Sequence, residues 1–320
     1  MEKNMQGKIW TEKFRPANFK DFIGQKHIVD KIRSMVENKN LPHQLYAGPA
    51  GVGKTSLILI VAKELFGENW RESVLELNAS DARGIDVIRN EVKNFARTKA
   101  FSDIPKICIL DEADSLTKEA QQALRRTMEV YSNSCRFCLL ANYSSKIIEP
   151  IQSRCAIFRF KPLNKEELKQ IVENVVKTEG IKINDKTIDL IIDVSSGDVR
   201  RLTNILQSCA SISKEITENL IYDIVAAAHP KEVKEIVEVA TSGNFIGARE
   251  KLLEVMLKHG LSGLDIIKQI QREIWNLNIK DENKLKMVEK CGEIEFRLVE
   301  GSDEYVQLEA LLSQFALYGK

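Results

Sequence analysis

The first half of the chain alternates short apolar runs with stretches whose apolar residues recur every three or four positions; the second half keeps only the latter pattern. The runs at 43–47, 73–77, 106–110, 136–141 and 156–160 predict strands. Between them, 56–66, 85–97 and 117–131 predict helices. The last carries Ala120, Ala123, Leu124, Thr127, Met128 and Tyr131 at helical intervals. Such alternation marks an α/β domain with a parallel sheet. After Lys161-Pro162 no further strand is predicted, and Asn164 with Glu167 three positions on signals a helix start. Breaks follow at Gly180, at Ser195-Ser196-Gly197 and at His229-Pro230, and 231–320 reads as helices only. The predicted organisation is an α/β domain over 1–161, a small helical domain over 162–228 and a second all-helical domain over 229–320.

Composition narrows this little. Of 320 residues 43% are hydrophobic and 29% charged, with 16 Gly and 7 Pro, which is globular rather than disordered. Lys plus Arg total 47 against 46 acids, so a uniformly basic coat is excluded while a local basic patch is not. The longest apolar run, 57–62, is far short of the ~20 residues that span a bilayer, and the first residues, Met1-Glu2-Lys3-Asn4-Met5-Gln6, lack an apolar signal core. A soluble intracellular chain with no membrane partner is expected. Six cysteines stand at 108, 135, 138, 155, 209 and 291. Cys135-x-x-Cys138 has no second pair and no suitably spaced His, so the cysteines read as small buried hydrophobes of a reducing compartment.

One motif changes the picture. Gly48-Pro49-Ala50-Gly51-Val52-Gly53-Lys54-Thr55 fits G-x-x-x-x-G-K-[ST] between a predicted strand and a predicted helix. Glycines let the backbone wrap phosphates, and the positive end of the following helix favours an anion. Lys54 is expected to reach the β- and γ-phosphates and Thr55 to offer its hydroxyl to Mg²⁺. A second predicted strand ends in Asp111-Glu112-Ala113-Asp114. Taken alone this is an acidic turn; coupled to the phosphate loop, Asp111 is assigned to the metal and Glu112 to the attacking water. The spelling D-E-A-D does not make a helicase of that class, because the rest of the chain offers no second sheet-rich motor domain and no Ser-Ala-Thr follows.

Further along stand Asn142, closing the next strand, then Ser153-Arg154-Cys155 and Gly197-Asp198-Val199-Arg200-Arg201. Trp10-Thr-Glu-Lys-Phe-Arg15-Pro16, Asp21-Phe-Ile23-Gly24-Gln25 and Leu77-Asn-Ala-Ser-Asp81-Ala-Arg83-Gly84 complete the set. In this order the motifs resemble the P-loop AAA+ ATPases of sliding-clamp loaders, in the replication factor C small-subunit family of archaea and eukaryotes. The resemblance runs from about Trp10 to Arg201; the C-terminal helices fit in length and type without a motif of their own. It implies an AAA+ parallel-sheet domain, a helical lid and an all-helical collar, with ATP and Mg²⁺ as ligands. It places Arg15, Pro16, Ile23 and Gly24 on the adenine side and residues 48–56, with Ser56 as the last, around the phosphates. Asn142 would read the γ-phosphate, Arg200 would touch it from the lid, and Arg154 would act as an arginine finger in a neighbouring subunit's site. Partners implied are a PCNA-type sliding clamp, a large subunit, further small subunits and primer–template DNA, in an archaeal cytoplasm or a eukaryotic nucleus.

In a helical projection of 85–97, Ile85, Ile88, Val92 and Phe95 share one face and Arg89, Lys93 and Arg97 another. From the pattern alone the basic stripe is a solvated face; the resemblance makes Arg83, Arg89 and Lys146 expected DNA-phosphate contacts, blind to base sequence. Phe95 and Phe101 are equally clamp contacts or core. The expected function is an ATPase subunit that helps open the clamp and load it on primed DNA. The alternatives are another AAA+ DNA-remodelling motor and an ATP-binding assembly subunit without turnover of its own.

Overall fold

The computed structural model describes residues 9–81, 86, 88–98, 104–225, 228 and 230–319. The chain divides into two compact units, Met1–Glu215 and Ile216–Lys320.

The first unit is built on β1 (Gln44–Ala47), β2 (Val74–Asn78), β3 (Lys106–Asp111), β4 (Cys135–Ala141) and β5 (Ala156–Arg159). They form one five-stranded sheet in the order β2-β3-β4-β1-β5. Every neighbouring pair is parallel, with Leu45 opposite Leu139 and Ile157, and Asn78 opposite Asp111. A parallel sheet covered on both faces needs strands that are apolar almost throughout, and β3 and β4 are: Ile107, Cys108, Ile109, Leu110, Phe137, Leu139 and Leu140 are all buried. The strands predicted from sequence match these to within a residue at most ends.

Two short N-terminal helices, α1 (Trp10–Lys13) and α2 (Lys26–Glu37), precede β1. After β1 the chain turns into α3 (Lys54–Phe66), which touches β3 and β4. The apolar run 57–62 is therefore a buried helix interior. One sheet face packs on a core that includes Leu45, Leu110, Phe137 and Leu139, with Leu124 and Met128 of α5 (Lys118–Val130). Between β2 and β3 the helical pattern is realised differently from its projection. A π-turn, Ile88–Val92, runs into α4 (Lys93–Arg97). The wider turn moves the buried side to Ile88, Val92 and Ala96, and leaves Phe95 half-buried at the core's margin. Lys93 and Arg97 are exposed, as the projection expected.

Past β5 and α6 (Glu149–Gln152) come α7 (Lys165–Glu179), α8 (Asp185–Ser195) and α9 (Val199–Ile212). Asn164 and Glu167 form the reciprocal capping box read from the sequence: the Glu167 N–H donates to Asn164 Oδ1 at 2.8 Å and the Asn164 N–H to Glu167 Oε2 at 2.9 Å. Gly180 ends α7 in the left-handed conformation. One departure is a two-residue strand, Lys182–Ile183, where none was predicted.

The second unit is helical: α10 (Glu218–Val225), α11 (Pro230–Thr241), α12 (Phe245–His259), α13 (Gly263–Glu273), α14 (Asp281–Val299) and α15 (Glu304–Tyr318). Pro230 opens α11, so the predicted break at His229-Pro230 is a helix start. Ile236, Leu252, Ile267, Ile294, Leu311 and Phe315 meet in a core of its own.

Candidate functional site

Parallel strands bring all their C-terminal ends to one edge, and loops at that edge are where α/β sheets bind ligands. Here β1, β3 and β4 deliver Gly48, Glu112 and Asn142 to the same edge. The loop 48–53 folds through positive φ at Gly51 (68°) and Gly53 (93°). A Cβ on Gly53 would lie 2.7 Å from Phe22 Cζ, so the loop's close fit excludes a side chain there.

Lys54 is the first residue of α3 and only 8% exposed. Its ammonium donates to the carbonyls of Gly48 (2.6 Å) and Pro49 (2.7 Å) and to Asn142 Oδ1 (3.0 Å). Desolvation pulls its pKa below the ordinary lysine value, while Asp111 and Asp114 favour the charged form. Next to it, the Thr55 hydroxyl donates to Asp111 Oδ2 at 2.9 Å. The other Asp111 oxygen accepts the Glu112 N–H at 2.8 Å, and Glu112 sits at φ 51°, a strained value for a residue with a side chain. Asp114 Oδ2 accepts the Tyr143 N–H at 3.2 Å, which ties the loop after β3 to the loop after β4.

These groups open on a cavity of about 920 Å³ contained in the first unit. Of the residues expected at the nucleotide, Arg15, Pro16, Ile23, Ala50, Gly51, Val52, Gly53, Lys54, Thr55, Ser56, Asp111, Glu112, Asn142 and Arg200 line it. Gly48 and Pro49 stand behind the lining and meet Lys54 through their carbonyls; Gly24 does not line it, and a Cβ there would lie 3.2 Å from Leu163 Cγ. Sequence reading missed the wall that α7 and α9 supply through Ile171, Asn174, Val175 and Thr203. Its signal was available as two adjacent turns of α7 and an i,i+4 pair, Val199 and Thr203, on α9.

Arg154 does not line the cavity. It follows α6, donates to the Pro150 carbonyl (2.7 Å) and pairs with Glu129 of α5. Lys146 is exposed, with its ammonium 5.1 Å from the Tyr143 ring centre. Arg83, Ile85 and Phe101, and the side chain of Arg89, lie outside the described residues. Cys135 and Cys138 are buried in β4; burial pushes the Cys135 thiol up to about 12 and raises the Cys138 thiol as well.

The model of the ATPase family associated with various cellular activities matches residues 44–163, and that of the replication factor C C-terminal domain matches residues 228–314. The replication factor C small subunit of Staphylothermus marinus is 50% identical over 98% of this chain and 95% of its own length. That of Archaeoglobus fulgidus is 48% identical over 98% of each. The chain belongs to the replication factor C small subunit family. It is an AAA+ ATP hydrolase, the ATPase subunit of a clamp loader, as its motifs led us to expect. Among solved structures, the RuvB Holliday junction branch migration motor of Thermotoga maritima superposes with a TM-score of 0.54 at 19% identity, covering 71% of this chain and 78% of that one. That likeness is one of fold, and it agrees with the AAA+ class expected from sequence. No helix among the described residues is long and apolar enough to cross a membrane.

Proposed function

We propose that the cavity holds ATP with Mg²⁺ and completes its catalytic set only when a neighbouring subunit adds Arg154. The observation that carries this is the convergence of Lys54, Asn142 and the Thr55–Asp111 pair at one sheet edge. Lys54, already bonded to three oxygens, has its ammonium fixed where phosphate oxygens replace carbonyls as partners. Thr55 and Asp111, side by side at 2.9 Å, suit Mg²⁺, which takes few protein ligands and shares phosphate oxygens. Bound there, Mg²⁺ would neutralise charge on the phosphates. Glu112, exposed beside Asp111, accepts the proton of the attacking water; Asn142 and Arg200 donate to the γ-phosphoryl oxygens. Arg15, Pro16 and Ile23, which line the cavity with Ile171 and Val175, make the base pocket, and the bare Gly24 lets that segment run close to Leu163.

Arg154, 36% exposed and outside its own chain's cavity, serves a neighbour by exchanging its pairing with Glu129 for the neighbour's phosphate. The exposed apolar side chains Leu257, Phe296 and Leu317 of the second unit suit a surface covered by further subunits, small or large. ATP bound at such seams favours the assembly that grips a sliding clamp, and hydrolysis on primer–template DNA releases it. Lys146, with Arg83 and Arg89, supplies sequence-blind contacts to DNA phosphates.

The test mixes two inactive variants. Glu112→Gln lowers turnover by ~10²–10⁴ while ATP still binds, and Arg154→Ala lowers it by ~10³ or more. Mixed, they form seams in which one subunit keeps Glu112 and the other Arg154, so clamp- and DNA-stimulated ATPase partly returns. A mixture as dead as its components rejects action in trans.

A further inference from the structure

The start of α9 and the phosphate loop are locked together by direct contacts between the two motifs that carry them. Asp198 precedes α9 and caps it: Oδ1 accepts the N–H groups of Arg200 at 2.8 Å and Arg201 at 3.0 Å. The adjoining Val199 N–H donates to the Gly51 carbonyl at 3.1 Å. Because the peptide unit is planar, this bond also fixes the direction of the Val52 N–H in the loop. The fit is close enough that a Cβ on Gly51 would fall 1.7 Å from Asp198 Oδ1. The chain reaches this point through two successive left-handed residues, Ser196 (φ 53°) and Gly197 (φ 86°), and a Cβ on Gly197 would lie 2.7 Å from Pro162 Cβ. Asp198 thus has little freedom to move without dragging both the helix and the loop.

We propose that Asp198 is a positioning residue of the ATP site: its carboxylate caps α9 and seats that helix on Gly51, so that loop and lid fix each other's geometry. The consequence for ligand binding has two parts of opposite sign. The cap aims the first turn of α9, which carries Arg200, at the cavity. The carboxylate's charge, close enough to Lys54 to favour its protonated form, opposes a triphosphate. A cap that keeps the two acceptor bonds but loses the charge therefore improves on the natural residue for binding alone.

This inference rests on the cavity being an ATP site, and the experiment separates the two. Binding of a fluorescent ATP analogue and steady-state ATPase are measured for wild type, Asp198→Ala, Asp198→Asn, Gly51→Ala and Gly51→Ala/Asp198→Ala, each checked by circular dichroism for folding. If wild type fails to bind, the ATP reading fails. Given that it binds, Asp198→Ala is expected to weaken the analogue's affinity roughly 5-fold, the equivalent of the helix stability that a lost cap typically costs. Asp198→Asn tightens it a few-fold, because Asn caps as well as Asp and carries no charge. Gly51→Ala alone weakens binding, and adding it to Asp198→Ala costs less than it does alone, since the oxygen it would strike is gone. A folded Asp198→Ala with wild-type affinity, an Asn variant as weak as the Ala variant, or strictly additive effects of Gly51→Ala and Asp198→Ala would each overturn the proposal. A purely structural cap would shift the melting temperature and leave the analogue's affinity for folded Asp198→Ala unchanged.

Discussion

His43 shows how a side chain outside the cavity governs the sheet that presents it. It stands just before β1, and its Nδ1 accepts the Phe137 N–H of β4 at 3.0 Å, so the ring must be unprotonated at that nitrogen. Burial first, and the nearby Arg136 guanidinium second, lower its pKa from 6.5 to about 4. An unfolded chain takes up this proton near pH 6.5 and the native one only near 4, so stability is complete above the upper value and is lost as pH falls between the two. The loss expected on going from pH 7.5 to 4.5 is ~2 kcal/mol, allowing for screening of a partly exposed ring. Denaturant melts over that range check it: His43→Asn, whose side-chain oxygen can accept the same N–H, flattens the pH dependence. An unchanged slope would remove His43 from the account. Lys54, Thr55, Asp111 and Glu112 were legible residue by residue because a phosphate site demands fixed spacing along the chain. Phe22 against Gly53 and Asp198 against Gly51 were not, since their meaning lies in contacts between distant segments.

Elements were legible where local chemistry decides them. The Asn164–Glu167 box, the Gly180 stop and the apolar strands all carry their reasons within a few residues. The segment before β3 did not, because a π-turn changes the angular step and so moves the buried face from Phe95 to Ala96. Helix α7 joins the two levels: its cap sets where it starts, and its next turns put Ile171, Asn174 and Val175 on the cavity wall. Asn164→Ala removes one acceptor and strands the Glu167 partner, at a cost of ~1 kcal/mol. In a unit of this size that corresponds to a melting temperature lower by about 2–4 °C. The Michaelis constant for ATP should rise as the wall loosens, with kcat little changed, since no residue of α7 is placed at the γ-phosphate. A fall in kcat at constant Michaelis constant would show that α7 acts on chemistry rather than on binding.

For the molecule as a whole, the distribution of buried surface makes a division of labour testable. Every residue lining the cavity lies between Trp10 and Thr203, inside the unit that ends at Glu215. The core that gathers Ile236, Leu252, Ile267, Leu311 and Phe315 lies inside the unit that begins at Ile216. A fragment of residues 1–215 should therefore bind ATP with an affinity within a few-fold of the full chain. It should turn ATP over poorly, because the proposed active seam needs a neighbour's Arg154 and the surfaces proposed to hold neighbours together belong to the other fragment. Residues 216–320 should fold alone into a cooperative helical unit whose melting temperature ATP does not move. In the fragment 1–215, ATP at 100 times its dissociation constant should add ~2.7 kcal/mol to stability, which mass action requires of any ligand bound only by the native state. Calorimetry of the two fragments with and without Mg²⁺·ATP reads all of this. A stabilised C-terminal fragment, or a folded N-terminal fragment that ignores the nucleotide, would place part of the binding site where the cavity is not.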